Sequence, residues 1–137
     1  MIKKTITYND YDGNTWTEDF FFNLSKSELM EMNFSESGGM EKMIRHIIDT
    51  KDIKKIIEVI KTIILSAYGE KSADGKRFIK VRDGRRLSED FEQSEAYSEL
   101  FMELSSNEDA ASEFIKGVIP KDLSEEVSKQ ETLSITK

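Results

Sequence analysis

Apolar residues recur at every second position near the start of the chain. Ile2, Ile6 and Tyr8 fall on one face of an extended segment, Trp16, Phe20 and Phe22 fall on one face of the next, and Asp12-Gly13 lies between them. That alternation, broken by a turn pair, predicts a β-hairpin. Loop length decides its register. A two-residue loop on Asp12-Gly13 pairs Tyr8 with Thr17 and sends the two apolar sets to opposite faces. A three-residue loop, Tyr11-Asp12-Gly13, pairs Tyr8 with Trp16 and Ile2 with Phe22 and keeps the sets together. The second register is expected, with Gly13 at the left-handed bulge position.

The period then becomes helical. Ser25-Lys26-Ser27-Glu28 has capping-box spacing and Leu24 can staple onto Leu29, so a short helix is predicted to about Met32. Beyond Gly38-Gly39, Met40, Met43, Ile44, Ile47 and Ile48 trace one stripe of a second helix. A third is the strongest pattern in the chain: Ile53, Ile56, Ile57, Ile60, Ile63, Ile64 and Ala67, widened by Val59 and Leu65, predict a central helix buried on more than one side. Gly69 should end it. Glu70 to Arg86 is rich in charge and glycine, with Phe78, Ile79 and Val81 as a short apolar island, and reads as an irregular or weakly extended connection. Ser94 then caps a helix bearing Tyr97, Leu100, Phe101 and Leu104. Asn107, followed by Glu108 and Asp109, caps a last helix bearing Ala110, Ala111, Phe114 and Ile115, which Gly117 and Pro120 stop. After Lys121 the apolar residues are scattered without a period. The expected fold is α+β, mostly α: an N-terminal β-hairpin followed by about five helices in a single domain, residues 1–120, and a disordered, flexible polar tail, residues 121–137.

Composition narrows the function more than the fold. The chain has 137 residues, 37% hydrophobic and 34% charged, with a net charge of -7, enough to fill one modest core. It has no cysteine, which removes disulfides, thiolate metal sites and a cysteine nucleophile. No window approaches the roughly eighteen apolar residues of a membrane span, and Met1-Ile2-Lys3-Lys4 leads into alternating polar positions instead of a signal-peptide core. A soluble, cytoplasmic protein without a membrane partner is expected. Residues 94–120 hold six acids against Lys116, a local balance of -5, whereas residues 69–93 hold seven bases against six acids. The acidic face is either plain solvated surface or a dock for a basic partner.

Candidate chemistry is thin. Gly69 to Lys76 resembles a phosphate loop, but five residues separate its glycines where that loop has four, and Arg77 stands where a Ser or Thr would hold magnesium. A turn at Asp74-Gly75 explains the segment. Asp10, Asp12 and Asn14 have the spacing of calcium-loop ligands, yet Thr15 and Phe21 occupy the positions that need Gly and Glu, so the hairpin turn explains these as well. His46 is the only histidine and lies off the apolar stripe of its helix, which leaves no metal site of several histidines. Pairs such as Glu99 and Glu103 arise by chance among 27 acids. Lys76, Arg77, Lys80, Arg82, Arg85 and Arg86 around Phe78 form the minimum of a single-strand nucleic-acid patch, which the overall negative charge opposes. Neither an enzyme, a cofactor nor a nucleic-acid partner is expected.

One resemblance goes further. Lys3-Lys4-Thr5-Ile6-Thr7-Tyr8, Asp10-Tyr11-Asp12-Gly13-Asn14, Thr17-Glu18-Asp19-Phe20-Phe21-Phe22-Asn23-Leu24 and Leu29-Met30-Glu31-Met32 look like the opening of tail assembly chaperones from long-tailed phages and prophages of Gram-positive bacteria. Ala67-Tyr68-Gly69-Glu70-Lys71-Ser72, Asp74-Gly75-Lys76-Arg77-Phe78, Ser94 to Leu104, Ala110 to Ile115 and Gly117-Val118-Ile119-Pro120 continue the likeness in order. It covers about residues 1 to 120. Val81 to Arg86 departs from the pattern as an insertion would, and the tail after Pro120 falls outside it. The resemblance implies a non-enzyme of the host bacterial cytoplasm, absent from the mature virion. It would bind the tape-measure protein, keep its hydrophobic helices soluble and help recruit tail-tube protein; a homo-oligomer stays open. Methionine offers adaptable apolar surface to such a helix, and the partner-binding residues expected are Met30, Met32, Met40, Met43, Tyr97, Phe101, Met102 and Phe114. A virion structural protein, such as a head–tail connector or tube-associated component, and an acidic inhibitor of a host enzyme are the alternatives.

Overall fold

The computed structural model describes residues 1–31 and 53–120 of the chain. Strands β1 (Ile2–Asn9) and β2 (Thr15–Phe22) pair antiparallel, with Ile2 opposite Phe22 and Tyr8 opposite Trp16, the register of the longer loop. Turn chemistry sets it. The Gly13 N–H closes onto the Asp10 carbonyl at 3.1 Å, and Gly13 takes a φ of +86°, which costs a glycine little. The Asp10 carboxylate accepts from the Asp12 and Asn14 N–H groups at 2.9 and 2.8 Å and from the Trp16 indole at 2.7 Å. These bonds, the indole's first and the Asn14 amide's next, hold its pKa below the ordinary carboxylate value. The calcium-like spacing is therefore an Asx turn.

The sheet is larger than the hairpin. β3 (Tyr68–Lys71) and β4 (Phe78–Ile79) extend it in the order β1-β2-β3-β4, while β5 (Val81–Arg82) and β6 (Arg85–Arg86) form a separate two-stranded ladder. The stretch expected to be irregular or weakly extended is thus two hairpins, the first closed by the loop 72–77 and the second by Asp83-Gly84. Strands of two residues have no period to show; their signal is Asp-Gly. Gly75 has a φ of +74°, and Asp83 and Gly84 are both left-handed at 53° and 78°, as a two-residue type I′ turn requires.

The helices are α1 (Lys26–Glu31), α2 (Ile53–Ala67), α3 (Leu87–Glu92), α4 (Glu95–Ser106) and α5 (Glu108–Val118); α4 and α5 pack on β1, α3 on β3, and α2 on the three later helices. The predicted caps form. Glu28 and Ser25 exchange capping-box bonds at 3.0 and 3.2 Å, Ser94 accepts from Tyr97 N–H at 3.4 Å, and Asn107 accepts from Ala110 N–H at 3.1 Å. Four of the five helices were expected; α3 was not. The predicted helix over Met40–Ile48, His46 and the tail 121–137 lie outside the described residues.

Two expectations are corrected. α2 buries Ile60, Ile63, Ile64 and Ala67 but exposes Glu58, Lys61 and Thr62, so it is buried along one face, not several. Among the described residues the central helix is α4, which touches β1, α2, α3 and α5 and buries Ala96, Leu100 and Leu104. The glycines expected to stop helices have other roles. Gly69 sits inside β3, where a Cβ would come within 2.6 Å of the Ile79 carbonyl oxygen, and Gly117 sits inside α5, where a Cβ would meet the Ile2 side chain at 2.6 Å.

Between sheet and helices lies an aromatic core. Phe91 of α3 stacks on Tyr68 with centroids 4.2 Å apart and reaches Phe20, Phe22 and Tyr97 at 5.2, 5.8 and 5.8 Å. Phe22 continues edge-on to Phe114 at 5.1 Å. Each such pair adds roughly 0.5–1.5 kcal/mol beyond its area. Gly69→Ala, which pushes a methyl group into the β4 backbone, is expected to cost about 1–3 kcal/mol in urea unfolding. Ile60→Asp puts a carboxylate at a position only 3% exposed and should cost about 3 kcal/mol or more. An unchanged midpoint for Ile60→Asp would contradict the packing of α2.

Candidate partner-binding site

The structure separates the residues expected to bind a partner. Met30 on α1 is 68% exposed and Met102 on α4 is 60% exposed. Tyr97 and Phe101 are half-buried on α4 with rings 5.8 Å apart, so α4 brings Tyr97, Phe101 and Met102 within two turns of one helix. Phe114 is 2% exposed and supports Phe22 from within the core, where it offers no surface. Met32, Met40 and Met43 lie outside the described residues. Around Met102 runs the acidic face. Glu95 accepts from the Tyr11 hydroxyl at the hairpin tip at 2.8 Å, Glu103 accepts from Lys4 Nζ at 3.1 Å, and Glu99 lies one turn from each. The spacing i, i+4, i+8 puts all three on one flank of α4, beside β1.

A second set of residues was not foreseen. Lys80, between Ile79 and Val81, turns inward until its side chain is 11% exposed. Its Nζ donates to the Asn23 carbonyl at 2.7 Å, the Ser66 carbonyl at 2.8 Å and the Glu28 carboxylate, joining the end of β2, the last turn of α2 and the first turn of α1. Burial pulls the Lys80 pKa below its ordinary value, and the Glu28 pair only partly offsets this. Burial opposes ionisation of Glu28, but bonds from Lys80 and Ser25 outweigh it and hold that carboxyl below its usual range. The sequence signal was a lone lysine inside an apolar island. Beside the pair opens a polar cleft of about 300 Å³ lined by Glu28, Glu31, Thr62, Leu65, Ser66, Arg86 and Ser88. Among the described residues no group of His, Asp and Glu side chains has the arrangement of a metal site, and no helix is long and apolar enough to cross a membrane.

A protein-family model for a phage tail assembly chaperone matches residues 1–137. The chain belongs to that family. Membership in the phage tail assembly chaperones gives it an assembly role, with phage tail proteins as its partners. The match runs on past Pro120, so it takes in the tail that the resemblance left out. Comparisons with curated proteins and with solved structures gave no match.

Three of the six side chains in the basic run of this chaperone are already engaged. Lys80 is buried, Arg82 pairs with Glu70 at 2.8 Å, and Arg85 pairs with Glu89 and Asp90 at 3.2 and 3.3 Å. The turn at Asp74-Gly75 is likewise internally satisfied, with Ser72 Oγ donating to Asp74 at 2.6 Å.

Glu28→Gln leaves the Lys80 ammonium buried with only neutral acceptors, and is expected to cost about 1–3 kcal/mol near neutral pH. The pH dependence has a definite sign. The folded pKa of Glu28 lies below its unfolded value of 4.5, so its contribution is complete above that value and is lost as pH falls through the folded one. Denaturant melts on the acid side should therefore be flatter for Glu28→Gln than for the parent chain; parallel curves would show that the pair contributes nothing.

Proposed function

We propose that this tail assembly chaperone binds the tape-measure protein, keeps its hydrophobic helices soluble in the host bacterial cytoplasm, assists recruitment of tail-tube subunits, and is absent from the mature virion. The observation that carries this reading is the family match over residues 1–137. The surface supports it. Met30 and Met102 are exposed, and Tyr97 and Phe101 are half-buried next to Met102. These side chains suit a helical partner whose apolar stripe varies along its length. A small acidic domain laid along that stripe hides it and adds negative charge that discourages self-association.

Co-expression with the tape-measure protein of the same phage should raise the soluble fraction of that partner and allow the two to co-purify. Retention should fall only weakly with salt, because apolar contact supplies the affinity. Met30→Glu and Met102→Glu should each change stability by no more than about 0.5 kcal/mol, since both side chains are exposed, yet reduce the amount recovered. An insoluble tape-measure protein, with this chain abundant in purified particles, would favour a structural protein of the virion. Loss of the complex on modest addition of salt would favour an acidic mimic.

A further inference from the structure

β1 is an edge strand, since the order β1-β2-β3-β4 gives it one neighbour. Two hydrogen bonds show which of its backbone groups face outward. Asp10 N–H donates to the Asn14 carbonyl at 2.8 Å, so the even-numbered residues of β1 make the bonded pairs with β2; Asn23 N–H donates to the Ala67 carbonyl at 2.8 Å, so the odd-numbered residues of β2 bond to β3. In an antiparallel ladder the remaining groups of β1, those of Lys3, Thr5, Thr7 and Asn9, point away from the sheet. Among the described residues none of the four has a backbone partner on that side, and all four are exposed. The strand is eight residues long, pairs without a bulge and contains no proline, so apart from Lys3 and Lys4 it lacks the devices that blunt an edge.

The acidic flank of α4 borders this edge. Glu103 is tied to Lys4 on β1 and Glu95 to Tyr11 just beyond it, while Glu99, between them, is exposed and has no ion-pair partner among the described residues. A strand added to β1 would alternate its side chains between the threonine-bearing outer face and the helix side, where they would run past these three carboxylates.

We propose that the outer edge of β1 is a strand-addition site for an extended segment of a partner protein carrying lysine or arginine at alternate positions. Charge disfavours a second copy as the occupant, because each chain carries -7 and pairing would bring two such flanks together. The site borders Met102 of the apolar surface proposed for the tape-measure helix but is built on the β1 edge and does not use that side chain.

Amide hydrogen exchange on the full chain tests this, with a synthetic peptide alternating lysine and valine as the probe and its glutamate counterpart as the control. In the free protein the amides of Lys3, Thr5, Thr7 and Asn9 should exchange faster than those of Lys4, Ile6 and Tyr8. The lysine peptide should protect the first set, the glutamate peptide should not, and salt should weaken the effect. Thr5→Pro removes an outward donor while sparing the backbone bonds to β2, at the loss of the Thr5 hydroxyl bond to Asp19, and should weaken binding about tenfold. Met30→Glu, placed on the other surface, should leave the exchange pattern unchanged, so the two readings fail separately. Protection of the odd amides in the free monomer, equal binding of both peptides, or no protection by the lysine peptide would overturn the proposal. A dimer in sedimentation whose formation protects the same amides would overturn it in favour of a second copy.

Discussion

Phe91 lies flat against Tyr68 at 4.2 Å and within ring contact of Phe20, Phe22 and Tyr97, and most of the arrangement depends on that one side chain having a slot to fill. Tyr68 begins β3 directly after the last residue of α2, so the stack fixes the end of that helix relative to the sheet. Phe20 and Phe22 bring in the hairpin, and Tyr97 brings in α4. Rings packed tilted or edge-on resist sliding better than aliphatic chains, because their contact energy depends on orientation. The slot also explains Gly69. β3 and β4 approach so closely beside the stack that a Cβ there would meet both the Ile79 carbonyl oxygen and the Phe78 ring at 2.6 Å.

Lys80 makes the second joint, by different physics. An ammonium group removed from water is tolerated only where acceptors surround it, and the Asn23 and Ser66 carbonyls with the Glu28 carboxylate provide them. Its worth lies in placement more than in net stability. Glu28 already caps α1 through Ser25, so the same carboxylate that starts the helix also fixes where the helix sits. Among the described residues of α1 one side chain is buried, Leu29, so the bond from Lys80 adds a second tie to the helix.

How far the sequence could be read follows from the range of the forces involved. The hairpin register and the caps at Ser25, Ser94 and Asn107 were legible because their determinants lie within a few residues of one another. α3 was not, since six residues around a single buried ring carry no period, and it exists because Tyr68, Phe20 and Phe22 wait for that ring. The rank of α2 and α4 was misjudged for a related reason. Periodicity reports that a helix has an apolar face, and the isoleucines of α2 make that face vivid; how many neighbours a helix touches depends on topology. The binding residues show the same limit. Met102 and Phe114 look alike as apolar positions on adjacent helices, yet one is exposed and the other fills the core.

On the proposed reading the chaperone must later release its partner, and the division of surface suits that constraint. Large apolar patches bind tightly and also aggregate, whereas the described residues bury most of their rings and show isolated methionines, Tyr11 and Trp16 at the hairpin tip, one threonine-rich sheet face and an acidic flank. On the proposed reading, affinity would come from several modest contacts, each easily exchanged when tube subunits compete for the same tape-measure helix. Such contacts govern the dissociation rate, while charge governs encounter and keeps the free chaperone from associating with itself. The rigid core then has a plain purpose. With Phe91 and Lys80 holding the elements in place, α1 and α4 can present exposed methionines without the collapse onto one another that would bury them.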